Sequence, residues 1–576
     1  MNALLTALVT GLLVDACTGL KIWPKPAHVS VAPDEAGCRI AAGFSFKSEL
    51  VAGPFVDLLT QFARDATAKM TILTTAGAGL ATSTELCIVT SCALRVDDPL
   101  GTIGLNTESE AHAIDFRDVG ECSITCKTVF GCMHGMRSFL QIVDPIYGLA
   151  VPVAFSISDE PAFSHRGLML DTGSHFLPTD LILETIEMMS ETKLNVLHWH
   201  ISEHQSFPME SRVYPKLSGK GAFSPKAVYS QADVRTIVAF ARARGIRVIP
   251  ELDVPAHTTS WFRGYPELLG STTWAIDLTR EDNYVFLEKL LVETRALFAT
   301  DIHEEEAMIH LGGDETENCW ETPEINAWME ARGMSGKGDL VQYWVSRLTA
   351  MATKIDIRIT LWADFLMDTI DGFGDESNRI VWQTWQHSEA SSAMLAAVLQ
   401  RDVIHSQGFY LDHTYETWMD FYGRPLKPAP GLIGGETCLW TAWADETNAF
   451  METWPRAAAA AERFWRGDKG SLKAKYGAAL RLAKWRCRMV HLFGHPGVGP
   501  VGDTGSDTIE NPWVTSLTGA SESFWIDAAN ADKTQFWCPE ADLGTPWAVV
   551  RAPVWTSSTP SWNLLMSIIP VLIILN

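Results

Sequence analysis

The stretch that decides the fold is Met308-Ile309-His310-Leu311-Gly312-Gly313-Asp314-Glu315. Apolar residues lead through a histidine and two glycines into adjacent carboxylates, as in a buried strand that ends at a polar site. Neighbouring side chains on a strand point to opposite faces, so an Asp-Glu pair at its tip can serve two roles. The glycines let backbone or substrate approach closely. The alternative is a solvated strand-to-helix turn in which the aspartate caps the helix.

Further short apolar runs with polar ends follow from about residue 161, and segments of helical period separate them. Two of these segments, 233–244 and the alanine-rich 457–465, are predicted helices. This alternation is typical of βα units. Eight units predict an α/β fold, a (β/α)8 TIM barrel, whose active site lies at the carboxyl ends of the strands. The polar run ends are therefore expected to converge. The predicted strands are 167–171, 195–201, 247–253, 308–315, 358–364, 379–385, 403–406 and 432–437.

The 576 residues are too many for one ordinary domain. A small α/β domain with a supporting role is predicted at 22–160, before the catalytic barrel at 161–500. Residues 501–563 are rich in Gly, Pro, Ser and Thr and predict a loop-rich extension. Residues 564–576 form an apolar tail. Together with a leader at residues 1–19, these segments make up the predicted domain organisation.

Residues 1–19 resemble a signal peptide, although no positive charge precedes the apolar core. The alternative for them is a buried helix. Cysteines crowd the segment from Cys38 to Cys132, which predicts the disulfides of a secreted domain. No metal site is predicted, because Cys122 and Cys126 lack a convincing second ligand pair. The expected location is the secretory pathway, either outside the cell or in a lysosome or vacuole.

The C-terminal tail is too short to span a bilayer as a helix. Small residues, Ser557-Ser558-Thr559, precede it, an order that resembles a lipid-anchor addition signal and a place at the cell surface. The rival interpretation is a tail that packs on the protein or tethers it to a membrane peripherally.

The formal charge of −24 argues against nucleic acid, whose phosphates would be repelled. It suits a protein that works at acidic pH, where many carboxylates lose their charge. The 22 tryptophans are unusually many, and several lie beside candidate polar residues. Most are expected in the core, but tryptophan also stacks on the apolar faces of sugar rings.

The segment His310 to Glu315 resembles the signature of the β-N-acetylhexosaminidases, glycoside hydrolase family 20. The resemblance covers most of residues 23–490, and eukaryotic lysosomal hexosaminidase subunits look most similar. It implies an exo-acting hydrolase without a cofactor that removes terminal β-linked GlcNAc or GalNAc from glycans. The other blocks in family order are Arg166-Gly167, His198-Trp199-His200, Gln205-Ser206-Phe207-Pro208, residues 245–251, His257, Gly434-Gly435-Glu436 and Trp454-Pro455-Arg456.

The resemblance implies substrate-assisted catalysis, in which the 2-acetamido oxygen of the substrate attacks the anomeric carbon and gives an oxazolinium-like intermediate. Glu315 would be the general acid and then the base, with a pKa raised by burial and a neighbouring carboxylate. Asp314 would orient the acetamido group and stabilise charge on its nitrogen. His257 would support the acid; its alternative is a structural histidine.

Substrate contacts are implied in the same way. Arg166, at the end of the first strand, would bind the 3- and 4-hydroxyls of the sugar. Tyr410 would bond the acetamido oxygen, and Asp412 a neighbouring hydroxyl. Aromatic walls around the sugar would come from three tryptophans, each of which could instead be plain core: Trp362, Trp385 and Trp440.

This chain departs from the family pattern at three places. Ser202-Glu203-His204 stands where relatives have Asp-Asp, so Glu203 either keeps the carboxylate role with a longer arm or leaves His257 held differently. Thr441-Ala442 replaces Gly-Glu, and alanine cannot bind the outer hydroxyls; Asp445 is close enough in sequence to be a substitute. The usual cysteine partner of Cys319 has no equivalent between residues 261 and 274.

Three functions stay open at this point. The leading one is the exo-β-N-acetylhexosaminidase. A sugar-binding protein on the same scaffold would have lost catalysis through the changes at Glu203, His204 and Ala442. A related glycosidase would release a disaccharide instead of one sugar. Partners other than glycans also stay open: a second copy of the chain in a homodimer, and a membrane reached through the tail.

Overall fold

The computed structural model describes residues 20–499 and 501, except for residues 32–36, 77–86, 105–106, 118–119, 144–149, 153, 273, 303–306, 317–318, 366–378, 387 and 468–471. The predicted signal peptide, nearly all of the loop-rich extension and the apolar tail lie outside the described residues and stay predictions. No described helix is both long enough and apolar enough to cross a bilayer.

A seven-stranded sheet forms the first unit of the fold, with strands in the order β1-β7-β4-β5-β3-β2-β6. Side chains of β4 and β5 alternate between buried and more exposed positions, as expected for strands with one face against a core. Helix α1 packs on β2, and α2 packs on β5. The elements are β1 (His28–Val31), β2 (Gly37–Ser48), α1 (Val56–Ala76), β3 (Cys87–Val96), β4 (His112–Phe116), β5 (Cys122–Cys126), α2 (Val129–Ile142), β6 (Ala150–Pro152) and β7 (Phe155–Asp159).

Disulfides connect neighbouring elements of this unit, which confirms their prediction. Cys38–Cys87 joins β2 to β3, and Cys92–Cys122 joins β3 to β5. Cys126–Cys132 ties the end of β5 to α2. Such crosslinks reduce the conformational entropy of the unfolded chain, and they are typical of proteins in oxidising compartments.

The second unit is a closed barrel of eight parallel strands, which confirms the predicted (β/α)8 fold. Strands β8, β9 and β13 are buried along their whole length, as expected for strands covered on both faces. All eight predicted runs contain a strand. The strands are β8 (His165–Asp171), β9 (Val196–Ser202), β10 (Arg247–Leu252), β11 (Ala307–His310), β12 (Ile357–Trp362), β13 (Ile380–Thr384), β14 (Val403–His405) and β15 (Leu432–Leu439).

Helices surround the barrel, and both helices predicted from the sequence are present. Helix α5 begins two residues before the predicted start because Ser230 and Asp233 form a capping box. The alanines of α13 are fully buried, so this helix lies close to the strands. The helices are α3 (Thr179–Glu191), α4 (Lys216–Gly221), α5 (Gln231–Arg242), α6 (Thr259–Phe262), α7 (Glu281–Phe298), α8 (Pro323–Glu330), α9 (Lys337–Ile355), α10 (Glu389–Leu399), α11 (Trp418–Gly423), α12 (Ala449–Thr453), α13 (Arg456–Arg466) and α14 (Leu472–His491).

Buried charges join the two units at the amino ends of the barrel strands. Glu110 of the first unit accepts a hydrogen bond from Arg166 Nη1 at 2.9 Å, and His134 Nε2 lies 2.8 Å from the other carboxylate oxygen. Burial alone would raise the pKa of Glu110, but Arg166 and His134 lower it to about 2. The paired carboxylate therefore stays charged inside the junction.

Candidate active site

The loop after β11 turns sharply to present the two carboxylates. Gly312 and Gly313 have φ angles of 61° and 98°, in a region that side chains rarely adopt. A Cβ atom at Gly312 would lie 1.7 Å from the Asp253 carboxylate oxygen. Glycine is therefore required there, both for the turn and for the close approach of Asp253.

His257 lies between the two carboxylates of this loop, Asp314 and Glu315, and a third carboxylate. Its Nε2 atom is 3.9 Å from Asp314 Oδ2 and 3.7 Å from Glu315 Oε2. Its Nδ1 atom is 2.8 Å from Glu203 Oε1, at hydrogen-bond distance. The structure thus brings together the three residues for which the sequence predicted catalytic roles.

Burial dominates the electrostatics of this cluster. It raises the pKa of Asp314 to about 7, and His257 opposes the rise while Asp364 adds to it. Burial also raises the pKa of Asp253 well above its usual range, and the charge of Asp314 adds to the rise. For His257, burial alone would lower the pKa, but the surrounding carboxylates raise it to about 11. His257 is therefore an imidazolium at neutral pH.

Glu315 is less enclosed than expected. Its side chain is 63% exposed, whereas that of Asp314 is 11% exposed. The burial expected around the proton donor surrounds Asp314 instead, which corrects the prediction. The backbone explains the difference, because Glu315 has a φ of 50° and turns outward at the tip of the loop.

Glu203 holds His257 from the end of β9. Burial alone would raise its pKa, but His200 Nε2, 3.5 Å away, and the hydrogen bond with His257 lower the pKa and keep the carboxyl group charged. The ring of His204 stacks on His257, with centroids 4.8 Å apart. Of the two alternatives that the Ser202-Glu203-His204 departure left open, the geometry favours the carboxylate role with a longer arm.

Aromatic side chains also lie at the carboxyl ends of the barrel strands, on or just after β12, β13 and β15. Trp362 and Trp440 have ring centroids 6.2 Å apart, and Trp440 also contacts the His200 ring edge-on at 4.8 Å. Trp362 is only 1% exposed and donates to Glu251, so it is also a core residue. Trp385 donates to Asp364 at 2.6 Å. These tryptophans and Tyr410 pack on one cluster beneath the site.

Tyr410 and Asp412 lie on the loop after β14. Burial raises the pKa of Tyr410 well above its usual value, so its hydroxyl stays protonated and can donate a hydrogen bond. Asp412 Oδ1 is buried and has no hydrogen-bond partner among the described residues. Such an oxygen is suited to a ligand hydroxyl.

Arg166 does not reach this site. It is the second residue of β8, at the amino end of the strand, and is fully buried. Its guanidinium donates to Glu110 and to the backbone oxygens of Phe163 and Lys193. This position corrects the expectation that Arg166 binds the sugar, because the active site lies at the opposite end of the strand.

Three carboxylates missing from the predicted site belong to it, two of them fully buried (Asp171 and Asp253) and one partly buried (Asp364). Asp253 accepts from Gly313 N, and Asp364 accepts from Trp385. Asp171 accepts from the backbone nitrogens of Ser174 and Thr441, and so ties the end of β8 to the end of β15. A sequence signal was present, since each ends a run that predicts a strand.

A buried network of histidines and carboxylates lies below the site. Glu251 is 2.5 Å from His200 Nδ1, 2.8 Å from His310 Nδ1 and 2.9 Å from His198 Nε2. His198 Nδ1 is also 2.7 Å from Glu436 Oε1. This network ties strands β9, β10, β11 and β15 together across the barrel interior.

Some of these side chains have the spacing of metal ligands. Among the described residues, His198, Glu251 and His310 each offer one donor atom within 4.8 Å of the others, and so do Asp253, His257 and Asp314. The first group forms the ion pairs with Glu251 described above, and in the second group His257 lies beside Asp314, so these contacts account for the proximity. The expected absence of a metal stays a prediction.

We expect the network to make stability depend on pH through His198. Burial alone would lower its pKa, but Glu436 and Glu251 raise it to about 9. A raised pKa in the folded state contributes stability below the unfolded pKa, and this is lost as pH rises through the folded pKa. The unfolding free energy of the native chain should therefore exceed that of His198→Gln most at pH 6, with the difference shrinking by on the order of 3 kcal/mol towards pH 10. Urea denaturation at several pH values tests this, and a constant difference would contradict it.

Comparisons with known proteins agree with this geometry. Residues 163–430 and 425–468 match the model of the glycosyl hydrolase family 20 catalytic domain. Beta-hexosaminidase 1 of Arabidopsis thaliana is 37% identical over 390 residues, which cover 64% of this chain and 69% of that protein. Human beta-hexosaminidase subunit beta is 35% identical over 384 residues, 63% of this chain and 67% of that protein.

Solved structures share the fold. A chitobiase from Flavobacterium johnsoniae has a TM-score of 0.69 and 24% identity, covering 82% of this chain and 73% of its own. A beta-N-acetylhexosaminidase from Bacteroides fragilis has a TM-score of 0.67 and 23% identity, covering 85% of this chain and 99% of its own. The matched catalytic domain spans the whole barrel and the residues of the candidate site. The chain therefore belongs to glycosyl hydrolase family 20 and is a glycoside hydrolase.

Proposed function

We propose that the chain is an exo-acting β-N-acetylhexosaminidase that removes terminal non-reducing β-linked GlcNAc or GalNAc from glycans. The observation that carries this proposal is the cluster of Asp314, Glu315 and His257 at the mouth of a family 20 barrel. Relatives named beta-hexosaminidase at 35–37% identity support it. A pure sugar-binding protein would not need a proton donor beside an imidazolium.

Glu315 protonates the departing glycosidic oxygen and then removes a proton from the attacking water. Its exposed position at the loop tip gives a leaving group and water access from solvent. His257, 3.7 Å away, carries a positive charge that stabilises the carboxylate left after the first proton transfer. Glu203 holds the imidazole ring in place through Nδ1.

Asp314 acts on the acetamido group. When the acetamido oxygen attacks the anomeric carbon, positive charge develops on the acetamido nitrogen. A positive charge nearby favours the ionised form of a carboxyl group, so the carboxylate form of Asp314 attracts the charge that develops on the nitrogen. Because the site is buried, this attraction is stronger in the transition state than with the bound substrate, and the difference accelerates the reaction.

Aromatic walls and a few polar groups are proposed to hold the sugar. Trp362, Trp385 and Trp440 surround it, and the protonated Tyr410 hydroxyl donates to the acetamido oxygen. The unpartnered Asp412 oxygen accepts from a hydroxyl. No step of this mechanism needs a cofactor.

Turnover of 4-nitrophenyl β-GlcNAc and β-GalNAc across a range of pH tests the function directly. We expect both to be hydrolysed, because the barrel mouth offers acetamido contacts common to the two sugars. The matched 4-nitrophenyl β-glucoside lacks the acetamido nucleophile and is expected to react far more slowly. Equal rates on the β-glucoside, or no turnover of either acetamido sugar, would overturn the proposal.

We propose that this hydrolysis takes place in the secretory pathway. The three disulfides of the first unit support an oxidising compartment. Release outside the cell, delivery to a lysosome or vacuole, tethering through residues 564–576 and assembly as a homodimer stay predictions. Gel filtration of the secreted protein, with its tail checked by mass spectrometry, tests the last two.

A further inference from the structure

A cluster of metal-ligating side chains lies beside the His257 ring, at the edge of the candidate active site. Glu203, His204 and His257 each offer one donor atom, and these atoms lie within 4.8 Å of one another. Two imidazoles and one carboxylate form a ligand set that Zn²⁺ accepts in proteins. His204 belongs to the departure from the family pattern at 202–204, and the proposed mechanism gives it no role.

The three ligands are already held side by side. The rings of His204 and His257 stack with centroids 4.8 Å apart and planes 29° apart. Trp274 contacts the His204 ring edge-on at 5.9 Å and limits its rotation. Glu203 Oε1 lies 2.8 Å from His257 Nδ1 and accepts from the His204 backbone nitrogen at 2.6 Å. Ligand atoms at a tetrahedral Zn²⁺ are roughly 3.3 Å apart, so the donors need to approach by no more than about 1.5 Å.

Other contacts orient each of the three ligands. His204 Nδ1 is 2.9 Å from Thr259 Oγ1, which leaves the other ring nitrogen for a ligand. His257 Nε2 faces the carboxylates of Asp314 and Glu315, so its Nδ1 atom is the one that faces the cluster. Metal-binding histidines almost always have such a partner on the second ring nitrogen, because it fixes the ring and makes the donor more basic.

The charges around the cluster favour a dication. Asp253, Asp314 and Glu203 surround His257 and hold it in its protonated form. A Zn²⁺ ion carries twice the charge of the proton that it replaces, so it attracts these carboxyl groups more strongly. The proton displaced from His257 passes to the solvent.

We propose that Glu203, His204 and His257 bind Zn²⁺ and that the bound ion inhibits hydrolysis. The inference rests on the proposed function, because the ion acts through Glu315. Glu315 Oε2 is 3.7 Å from the His257 ring, and a dication on that ring stabilises the ionised carboxylate. An ionised Glu315 has no proton to give to the leaving oxygen. The reaction itself does not need the ion.

Calorimetric titration of the tag-free protein with ZnCl₂ at pH 7 tests the site without any turnover. We expect His204→Phe, which keeps the stacked ring but loses both nitrogens, to weaken the affinity by about tenfold or more. His204→Gln repeats the comparison with a smaller polar side chain, so an effect of the bulky phenyl ring is recognised. The matched control is His28→Phe, at an exposed position of β1, which should leave the affinity unchanged.

Inhibition is measured on two β-GlcNAc glycosides that differ in their leaving group. Saturating Zn²⁺ should lower kcat on an alcohol glycoside by about tenfold or more, because general acid catalysis is lost. The loss on 4-nitrophenyl β-GlcNAc should be smaller, since a nitrophenolate needs little protonation. EDTA should restore both rates. The same Zn²⁺ concentration should have little effect on either His204 variant.

Three results would overturn the inference. The native chain fails to bind Zn²⁺, or both His204 variants bind it as tightly as the native chain, or bound Zn²⁺ leaves both rates unchanged. The proposed function fails on a different result, which is that neither acetamido sugar is hydrolysed in the absence of Zn²⁺. In that case the calorimetric comparison of the native chain with the His204 variants still decides whether the ion binds at this cluster.

Discussion

Replacing Glu315 by Gln is expected to lower kcat on a β-GlcNAc glycoside with an alcohol leaving group by about a hundredfold or more. An alkoxide is a poor leaving group and needs the proton that Glu315 supplies. A nitrophenolate leaves without much help, so the loss on the nitrophenyl glycoside should be smaller. The side chain is 63% exposed, so the substitution should leave the fold intact.

The matched control is Glu324→Gln, an exposed carboxylate in the first turn of α8. It removes one negative charge from the surface nearby and should leave turnover of both substrates unchanged. Binding of GlcNAc to Glu315→Gln, measured by calorimetry, shows whether the sugar site survives. Near-normal turnover of the alcohol glycoside would remove Glu315 from the role of acid.

Replacing Asp314 by Asn is expected to lower kcat by about a hundredfold or more, a typical cost of losing one transition-state charge partner in a buried site. Asparagine has a similar shape but cannot carry the charge that offsets the acetamido nitrogen. The loss should come in kcat more than in KM, because the charge develops only during the reaction. A thiazoline mimic of the oxazolinium intermediate should inhibit the native enzyme and bind the variant more weakly.

The same variant has an expected signature in stability. The pKa of Asp314 in the folded state is raised to about 7, so the folded state keeps a proton that the unfolded chain loses near pH 4. Between these values, stability falls as pH rises. The unfolding free energy of Asp314→Asn should therefore improve relative to the native chain from pH 4 to pH 7. A covalent glycosyl-enzyme trapped on any side chain would refute the substrate-assisted mechanism.

The barrel strands could be predicted because each is a local pattern. An apolar run such as 403–406 carries its own signal for a buried parallel strand, and its neighbours supply the intervening helices. The bounds of the two predicted helices shifted by one or two residues, and at the start of α5 the side-chain cap of Ser230 explains the shift. The position of Asp314 and Glu315 at a strand end could be predicted in the same way, because an apolar run followed by polar residues is a pattern of only a few neighbouring residues.

The burial of a side chain and its position along a strand could not be predicted from such local patterns. Arg166 belongs to a segment that matches the family, but the segment does not tell at which end of β8 the side chain lies. Arg166 is buried in the junction between the two units because it pairs with the carboxylate of Glu110, which is 56 positions away in the sequence. The exposure of Glu315 was likewise hidden, because it depends on the positive φ of one loop residue.

By itself the sequence determined the barrel, the adjacent carboxylates Asp314 and Glu315 at a strand end, the disulfide-rich first unit and the family, since each depends on neighbours along the chain. Only the tertiary structure decided that Glu203 reaches His257 and that Asp171 ties β8 to β15. These contacts join segments from different strands. The closure of the barrel sets their distances, and no spacing along the chain encodes them.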